Sequence, residues 1–499
     1  MNINKLLQQT AFDLKDKPAV IIEGNKISFS VVRDNAFKVA NCLVDLEVNS
    51  QDKIAIFLPN GMEAVFSFLG SFSLGLVVIP LDYMLTEAEI IGFINHSEAK
   101  ILIAQPKKGI DLEKVKNNCP NLKDVITCGE KIKELKFWDD VVNKSSSEFL
   151  EREIDEKSLS SIFYTSGSTG HPKGVMLTYA HLDNPPQAIN YFLDVSSNDV
   201  FLCGGVPFSH VGGLDYILLM VYFGTTLVLM PRFQPFEFLK SIQSHKVTIF
   251  CIVPAMYVAV LSLKEYDKFD LSSLRFAVVF GAPASPVLLK RFHKAYPNAR
   301  ISNGWGMTET AAPNTLLSPE SEIIQSIGKF SPEMEAKIVN EQGDCLKANQ
   351  NGELWVKGKA VMKGYYKEKS LTEEVLTQDR WLKTGDIAYF DEQGLFYIVG
   401  RKKEMIKVAG EVVFCAEVEE KIARHPKVKE AAVIGVVDNL RGEVPKAFVV
   451  VDENERVGEA ELKEFLKKFL AHFKIPRYFE FVKCLPRNRT GKVDKNKLV

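Results

Sequence analysis

Between residues 53 and 280, short apolar runs alternate with longer segments of helical spacing. This alternation constrains the fold more than any other feature of the chain. The runs lie at 53–58, 99–104, 161–164, 199–203, 226–230, 248–252 and 276–280. Such a pattern points to βαβ units, that is, largely parallel sheets with helices outside. Ligands in such folds sit beyond the carboxyl ends of the strands. A small hairpin is expected around Gly24-Asn25, followed by a helix over 31–46.

From about residue 338 the texture changes. Short strands and turns dominate at 336–340, 352–357, 387–391 and 395–399. After the charged stretch Gly400-Arg401-Lys402-Lys403-Glu404 comes a compact α+β pattern: helix 416–424, strands 428–436 and 446–452, helix 459–473. The 499 residues make about three domains a reasonable prior. The fold class expected is α/β. A large N-terminal domain (1–399) of parallel-rich sheets flanked by helices would include a β-barrel-like subdomain at about 336–399. A hinge at 400–403 would join it to a small mobile α+β domain at 404–499.

Composition removes several function classes. Lys+Arg 62 against Asp+Glu 63 gives a net charge of −1, which argues against a bulk basic nucleic-acid binder and an acidic disordered chain. None of the eight cysteines forms a C-x-x-C pair, so a zinc knuckle or redox dithiol is not expected. Reduced, cytoplasmic thiols are the default, and the first residues show no signal-peptide core. Residues 62–81 are as long and apolar as a membrane span, but Glu63, two glycines, three serines and the Pro80-Leu81-Asp82 exit favour a buried helix turning at Gly75 into a strand. No transmembrane span is expected. Peripheral membrane contact and a homodimer stay open.

The sharpest chemical signal is Tyr164-Thr165-Ser166-Gly167-Ser168-Thr169-Gly170-His171-Pro172-Lys173-Gly174, directly after a short strand. Glycines let backbone N–H groups turn toward an anion, hydroxyls add donors, and Lys173 supplies a point charge for phosphate. The stretch is not G-x-x-x-x-G-K-[ST], nor does it contain G-x-S-x-G.

Taken with four further motifs in order, this loop resembles that of the adenylate-forming superfamily of acyl-CoA synthetases, luciferases and peptide-synthetase adenylation domains. Asn303-Gly304-Trp305-Gly306-Met307-Thr308-Glu309 resembles its adenylate-binding motif, and Gly281-Ala282-Pro283 its adenine wall. Trp381-Leu382-Lys383-Thr384-Gly385-Asp386 resembles the ribose-binding motif. The stretch from Gly400 through Arg401 and Lys403 to Lys407, then Gly410-Glu411, resembles the hinge and thioester-step loop. Lys492 stands in what resembles the C-terminal catalytic-lysine motif.

The resemblance implies ATP and coenzyme A as substrates and Mg2+ bound with ATP phosphates through Glu309. It implies phosphate contacts from Thr165, Ser166, Gly167, Ser168, Thr169, Gly170, Lys173 and Thr308. Trp305 would stack on adenine, Asn303 would contact its amino group, Asp386 would hold the ribose, and Arg401 would help hold the ribose or phosphate. Lys492 would catalyse adenylation, Lys403 would be the hinge, and Lys407 and Gly410 would serve thioester formation. Where relatives often carry Asn-(Val/Ile)-(Tyr/Ser)-Pro after Gly-Glu, this chain has Val412-Val413-Phe414-Cys415.

Pro207-Phe208-Ser209-His210-Val211-Gly212-Gly213-Leu214 resembles the acyl-pocket motif of acyl- and aryl-CoA ligases. His210 would sit near the carboxylate and the pocket mouth. Val211, Gly212, Gly213, Ala311 and Ala312 suggest an apolar pocket with small residues near its entrance. No carboxylate occurs in this region until Asp215, which argues against α-amino acids. The expected activity is an AMP-forming carboxylic acid:CoA ligase for a fatty, alicyclic or aryl acid. The alternative is an adenylation enzyme that loads a carrier-protein pantetheine.

Overall fold

The computed structural model describes residues 3–165, 173–281, 284, 286–317, 325–409, 411–438, 440–451, 455–487 and 492–498. The described residues build four sheets. In the first, the strands Arg300–Trp305, Phe276–Val279, Ile249–Ile252, Val200–Gly204, Thr226–Met230 and Pro18–Ile22 lie side by side in that order, all parallel. Antiparallel strands extend both edges. A second sheet has a parallel centre of Val77–Pro80, Lys53–Phe57 and Ile101–Ala104. Beside it, Leu159–Thr165 and Lys173–Thr178 form an antiparallel pair. The apolar runs are strands because both of their faces are covered: Ile101–Ala104 and Thr226–Met230 are buried at every residue.

The apolar stretch 62–81 divides as expected. The helix Met62–Ser73 ends in a turn at Leu74 and Gly75, and the strand Val77–Pro80 follows. Ser67 and Ser73 return their hydroxyls to carbonyls one turn back. Among the described residues no helix is long and apolar enough to cross a membrane. The expected hairpin forms between Pro18–Ile22 and Asn25–Ser28, and Ser28 caps the helix Phe29–Asp45.

The β-rich part is an antiparallel sheet of Met334–Val339, Gly352–Gly358, Leu382–Phe390 and Phe396–Arg401. Its first and last strands are not hydrogen-bonded to each other, so it stays open. The single turn Lys402–Glu404 then carries the chain into a five-stranded sheet. There Val428–Asp438 and Gly442–Val451 pair along their length. The helix Cys415–Ala423 packs on them, as does a second helix, shorter than the expected 459–473. It stops at Leu466, where Lys468 and Phe469 bond three residues back and tighten the chain so that Leu470 reaches the core.

Candidate active site

The phosphate-loop candidate is flanked by the antiparallel strands Leu159–Thr165 and Lys173–Thr178. Its flanks Thr165 and Lys173 face each other in register, and Tyr164 pairs with Gly174. Ser166, Gly167, Ser168, Thr169 and Gly170 lie outside the described residues, as do Ala282, Pro283 and Gly410. The ammonium of Lys173 lies 5.1 Å from the ring centroid of Tyr365. The Tyr365 hydroxyl donates to Glu309 Oε1 at 2.9 Å. Glu309 is buried on the turn Thr308–Thr310, and its carbonyl accepts from the Met362 N–H at 2.8 Å. Lys173 and Glu309 are therefore brought together across Tyr365, a residue the sequence reading missed. The doublet Tyr365-Tyr366 after Gly364 was its one visible signal.

Asp386 is 2% exposed and uses both oxygens. Oδ2 accepts from the indole N–H of Trp305 at 2.8 Å, and Oδ1 lies 2.7 Å from Arg401 Nε. Asp386 and Arg401 are register partners on adjacent strands. Burial raises the Asp386 carboxyl above its ordinary pKa, while Arg401, the indole N–H and Lys492 pull it back.

The structure gives Trp305 a partner that no sequence motif announced. The residue is 7% exposed, its ring packs edge-on against Phe330 at 5.6 Å, and its N–H is committed to Asp386. It is buried support for the carboxylate. At Gly304 and Gly306 the missing side chains make room for the chain itself. A Cβ on Gly304 would come 2.5 Å from Leu316 Cδ2, and one on Gly306 2.5 Å from the Ala312 Cβ. Asn303 commits its amide N–H to the Ser326 carbonyl at 3.3 Å.

Lys492 retains solvent exposure, yet protein surrounds it, as expected of a side chain in an open cleft. A methyl group on Gly281 would meet its Cε at 3.7 Å. Desolvation in the cleft lowers its pKa, Arg401 lowers it further, and Asp386 opposes them. The charge of Lys492 also reaches His210. Burial, first of all, lowers the His210 pKa; Asp82, 4.0 Å from Nε2, raises it, and Lys492 lowers it. At neutral pH the imidazole is uncharged. Lys492, Arg401, Asp386 and His210 thus face one cleft.

This cluster has a measurable consequence. An ammonium at Lys492 is lost as pH rises through its lowered pKa, so adenylation should fall at lower pH than a free lysine would dictate. Arg401→Gln removes a lowering influence and should move that alkaline limb to higher pH. A pH–rate profile of pyrophosphate release checks the direction.

On the acyl side, His210 precedes the helix Val211–Phe223. Asn60 braces the motif, accepting from the Phe208 N–H at 3.0 Å and donating to the Val206 carbonyl at 2.7 Å. Gly212 opens on empty space: a Cβ there meets nothing within 4 Å. Gly213, expected in the pocket, instead packs on the Pro207 backbone, with a Cβ only 2.1 Å from that carbonyl oxygen. Val211, Ala311 and Ala312 are buried. Lys403 and Lys407 stand outside the cluster. Both are exposed, Lys403 on the turn between the sheets and Lys407 on the strand Met405–Val408.

Residues 7–366 match the family model of the AMP-binding enzymes, and residues 417–492 that of the AMP-binding enzyme C-terminal domain. A long-chain-fatty-acid–CoA ligase of Bacillus subtilis is 32% identical over 100% of this chain and 94% of its own length. A 2-succinylbenzoate–CoA ligase of Bacillus licheniformis is 35% identical over 99% and 98%. A crystal structure of an anthranilate CoA ligase in complex with anthranoyl-AMP superposes with a TM-score of 0.93 at 26% identity, covering 100% of this chain and 96% of that one. With both parts of the chain matched and its relatives aligned over nearly their full length, the chain belongs to the AMP-binding, adenylate-forming enzyme family.

Proposed function

We propose that the protein is an AMP-forming carboxylic acid:CoA ligase acting on a hydrophobic fatty, alicyclic or aryl acid. The observation that carries this reading is the convergence of Lys492, Arg401, Asp386 and His210 on one cleft. In the first half-reaction a carboxylate oxygen of the acid attacks the α-phosphorus of ATP. Pyrophosphate leaves, and an acyl-adenylate forms. The Lys492 ammonium offsets the charge gathering between carboxylate and phosphate. Each oxygen of Asp386 keeps lone-pair capacity beyond its present donor, enough to accept the two ribose hydroxyls. The neutral imidazole of His210 borders the acid's carboxylate, and Thr165, Thr308 and Lys173 meet the phosphates with residues 166–170.

Among the described residues no group of three or more His, Cys, Asp or Glu is placed to hold a metal. A hard carboxylate such as Glu309 with the Thr308 hydroxyl fits Mg2+, which is commonly held by one or two carboxylates plus substrate phosphates. When bound it would neutralise phosphate charge. In the second half-reaction the CoA sulfur attacks the acyl carbonyl and AMP leaves. We assign the pivot to 400–403, between a domain of 1–399 and one of 404–499, with Lys403 as hinge and Lys407 and Gly410 serving this step. All eight cysteines are unpaired, which supports a reducing, cytoplasmic setting.

The test is AMP and pyrophosphate release with MgATP and CoA across acetate, hexanoate, octanoate, palmitate, benzoate and cyclohexanecarboxylate. CoA-dependent AMP formation with one class of hydrophobic acid is the expected result. Acid-dependent pyrophosphate exchange without CoA consumption would replace this reading by carrier-protein loading.

A further inference from the structure

Among the described residues, eight buried side-chain polar atoms lack a hydrogen-bond partner, and three belong to one short segment: Ser209 Oγ, His210 Nε2 and Asp215 Oδ1. Buried polar groups are rarely left so, and each exception calls for an explanation. Ser209 and His210 border the cleft already described. Asp215 does not, and the reaction gives it no task.

Asp215 is 7% exposed on the helix Val211–Phe223. It lies three residues after Gly212, on the same helix face, and Gly212 opens on empty space. The next residue fixes that face against the sheet: the Tyr216 hydroxyl donates to the Cys251 carbonyl at 3.1 Å. Cys251 lies on the strand Ile249–Ile252, flanked by parallel strands on both sides, and is partly buried. Burial pushes the Cys251 thiol up to about 12, with the Asp215 carboxyl adding to the rise. Burial, with no compensating charge, raises Asp215 well above the ordinary carboxyl range. This favours the un-ionised acid, which can donate one hydrogen bond and accept others.

We propose that Asp215 is a specificity-determining residue, selecting among hydrophobic acids those that carry an uncharged hydroxyl or carbonyl oxygen on their distal part. The inference rests on the ligase reading above and adds to it the substrate's second polar group. Five residues of helix separate His210 from Asp215, a rise of about 7.5 Å. That separation sets the reach between the acid's carboxylate and its second polar group. An apolar acid of the same length would leave the Asp215 carboxyl unpaired, and sites with unpaired polar groups reject such analogues strongly.

The experiment compares kcat/KM within matched pairs, 6-hydroxyhexanoate against hexanoate and 3-(4-hydroxyphenyl)propanoate against 3-phenylpropanoate. It uses the full-length wild type, Asp215→Asn and Asp215→Leu. A ratio within one variant cancels any general loss of folded enzyme. The wild type should favour the hydroxylated member of at least one pair by tenfold or more, on the order of the discrimination one buried hydrogen bond supplies. Asp215→Asn should keep part of that ratio, and Asp215→Leu should invert it. Turnover of both members with a ratio near one in the wild type, or a ratio unchanged in Asp215→Leu, would overturn the inference and leave the ligase reading intact. Failure of every acid, including those of the broader panel, to yield AMP would overturn both.

Discussion

Lys492→Ala should lower acyl-adenylate formation by roughly 10²–10³-fold, the usual loss when one preorganised group facing developing charge is removed. Fold stability should hardly change, because Lys492 is exposed in an open cleft and carries no part of the core. The discriminating readout is the second half-reaction. Supplied with preformed acyl-adenylate and CoA, the variant should make thioester at close to the wild-type rate. Pyrophosphate exchange reports the first step, and single-turnover thioester formation the second. An equal loss in both would show that Lys492 is not specific to adenylation.

The second large effect is expected at Trp305. Trp305→Ala removes a buried indole and should cost about 3–5 kcal/mol, read as a lower urea midpoint. Trp305→Phe is more informative about function. It keeps an aromatic ring against Phe330 and deletes only the N–H that meets Asp386 Oδ2. Asp386 would then lose one of the interactions that hold it ionised, and its raised pKa should rise further. Nucleotide affinity should fall by about tenfold or more, in line with a lost hydrogen bond to a charged group. Unchanged affinity for ATP in Trp305→Phe would refute the bracing role.

Most of the parallel strands were legible because each is a short apolar run, so the local sequence carries its environment, whereas Arg300–Trp305, with Ser302 and Asn303 inside it, was not read as a strand. The run 226–230 was read to the residue. The site was legible as an ordered set of motifs, but not in the reasons for its residues. Gly304 and Gly306 were legible only as members of a motif, whereas their missing side chains make room for the returning strand and Ala312. The partner of Trp305 lies 81 residues away, and no local pattern announces it. Gly212 and Gly213 look alike in sequence, yet one opens on empty space and the other abuts the Pro207 carbonyl. Asp215 could be read only as the first carboxylate after the acyl motif, since its lack of partners is a tertiary fact. The overrun of the helix that stops at Leu466 has a simpler cause: periodicity continues through the tightened turn that brings Leu470 inward.

Asp386 and Arg401 sit side by side on one sheet, and Arg401 is that sheet's last residue before the turn Lys402–Glu404. Beyond the turn, Lys495 ties the C-terminal segment to Glu404 at 2.7 Å and to Glu419 at 2.8 Å. Lys492, three residues earlier, is therefore tied to the part after the turn, whereas Asp386 and Arg401 belong to the sheet before it. A pivot at this turn would change the reagent above the intermediate without loosening the grip on its nucleoside. The energy-rich anhydride would then be handed from the chemistry that makes it to the chemistry that spends it without ever being released to water.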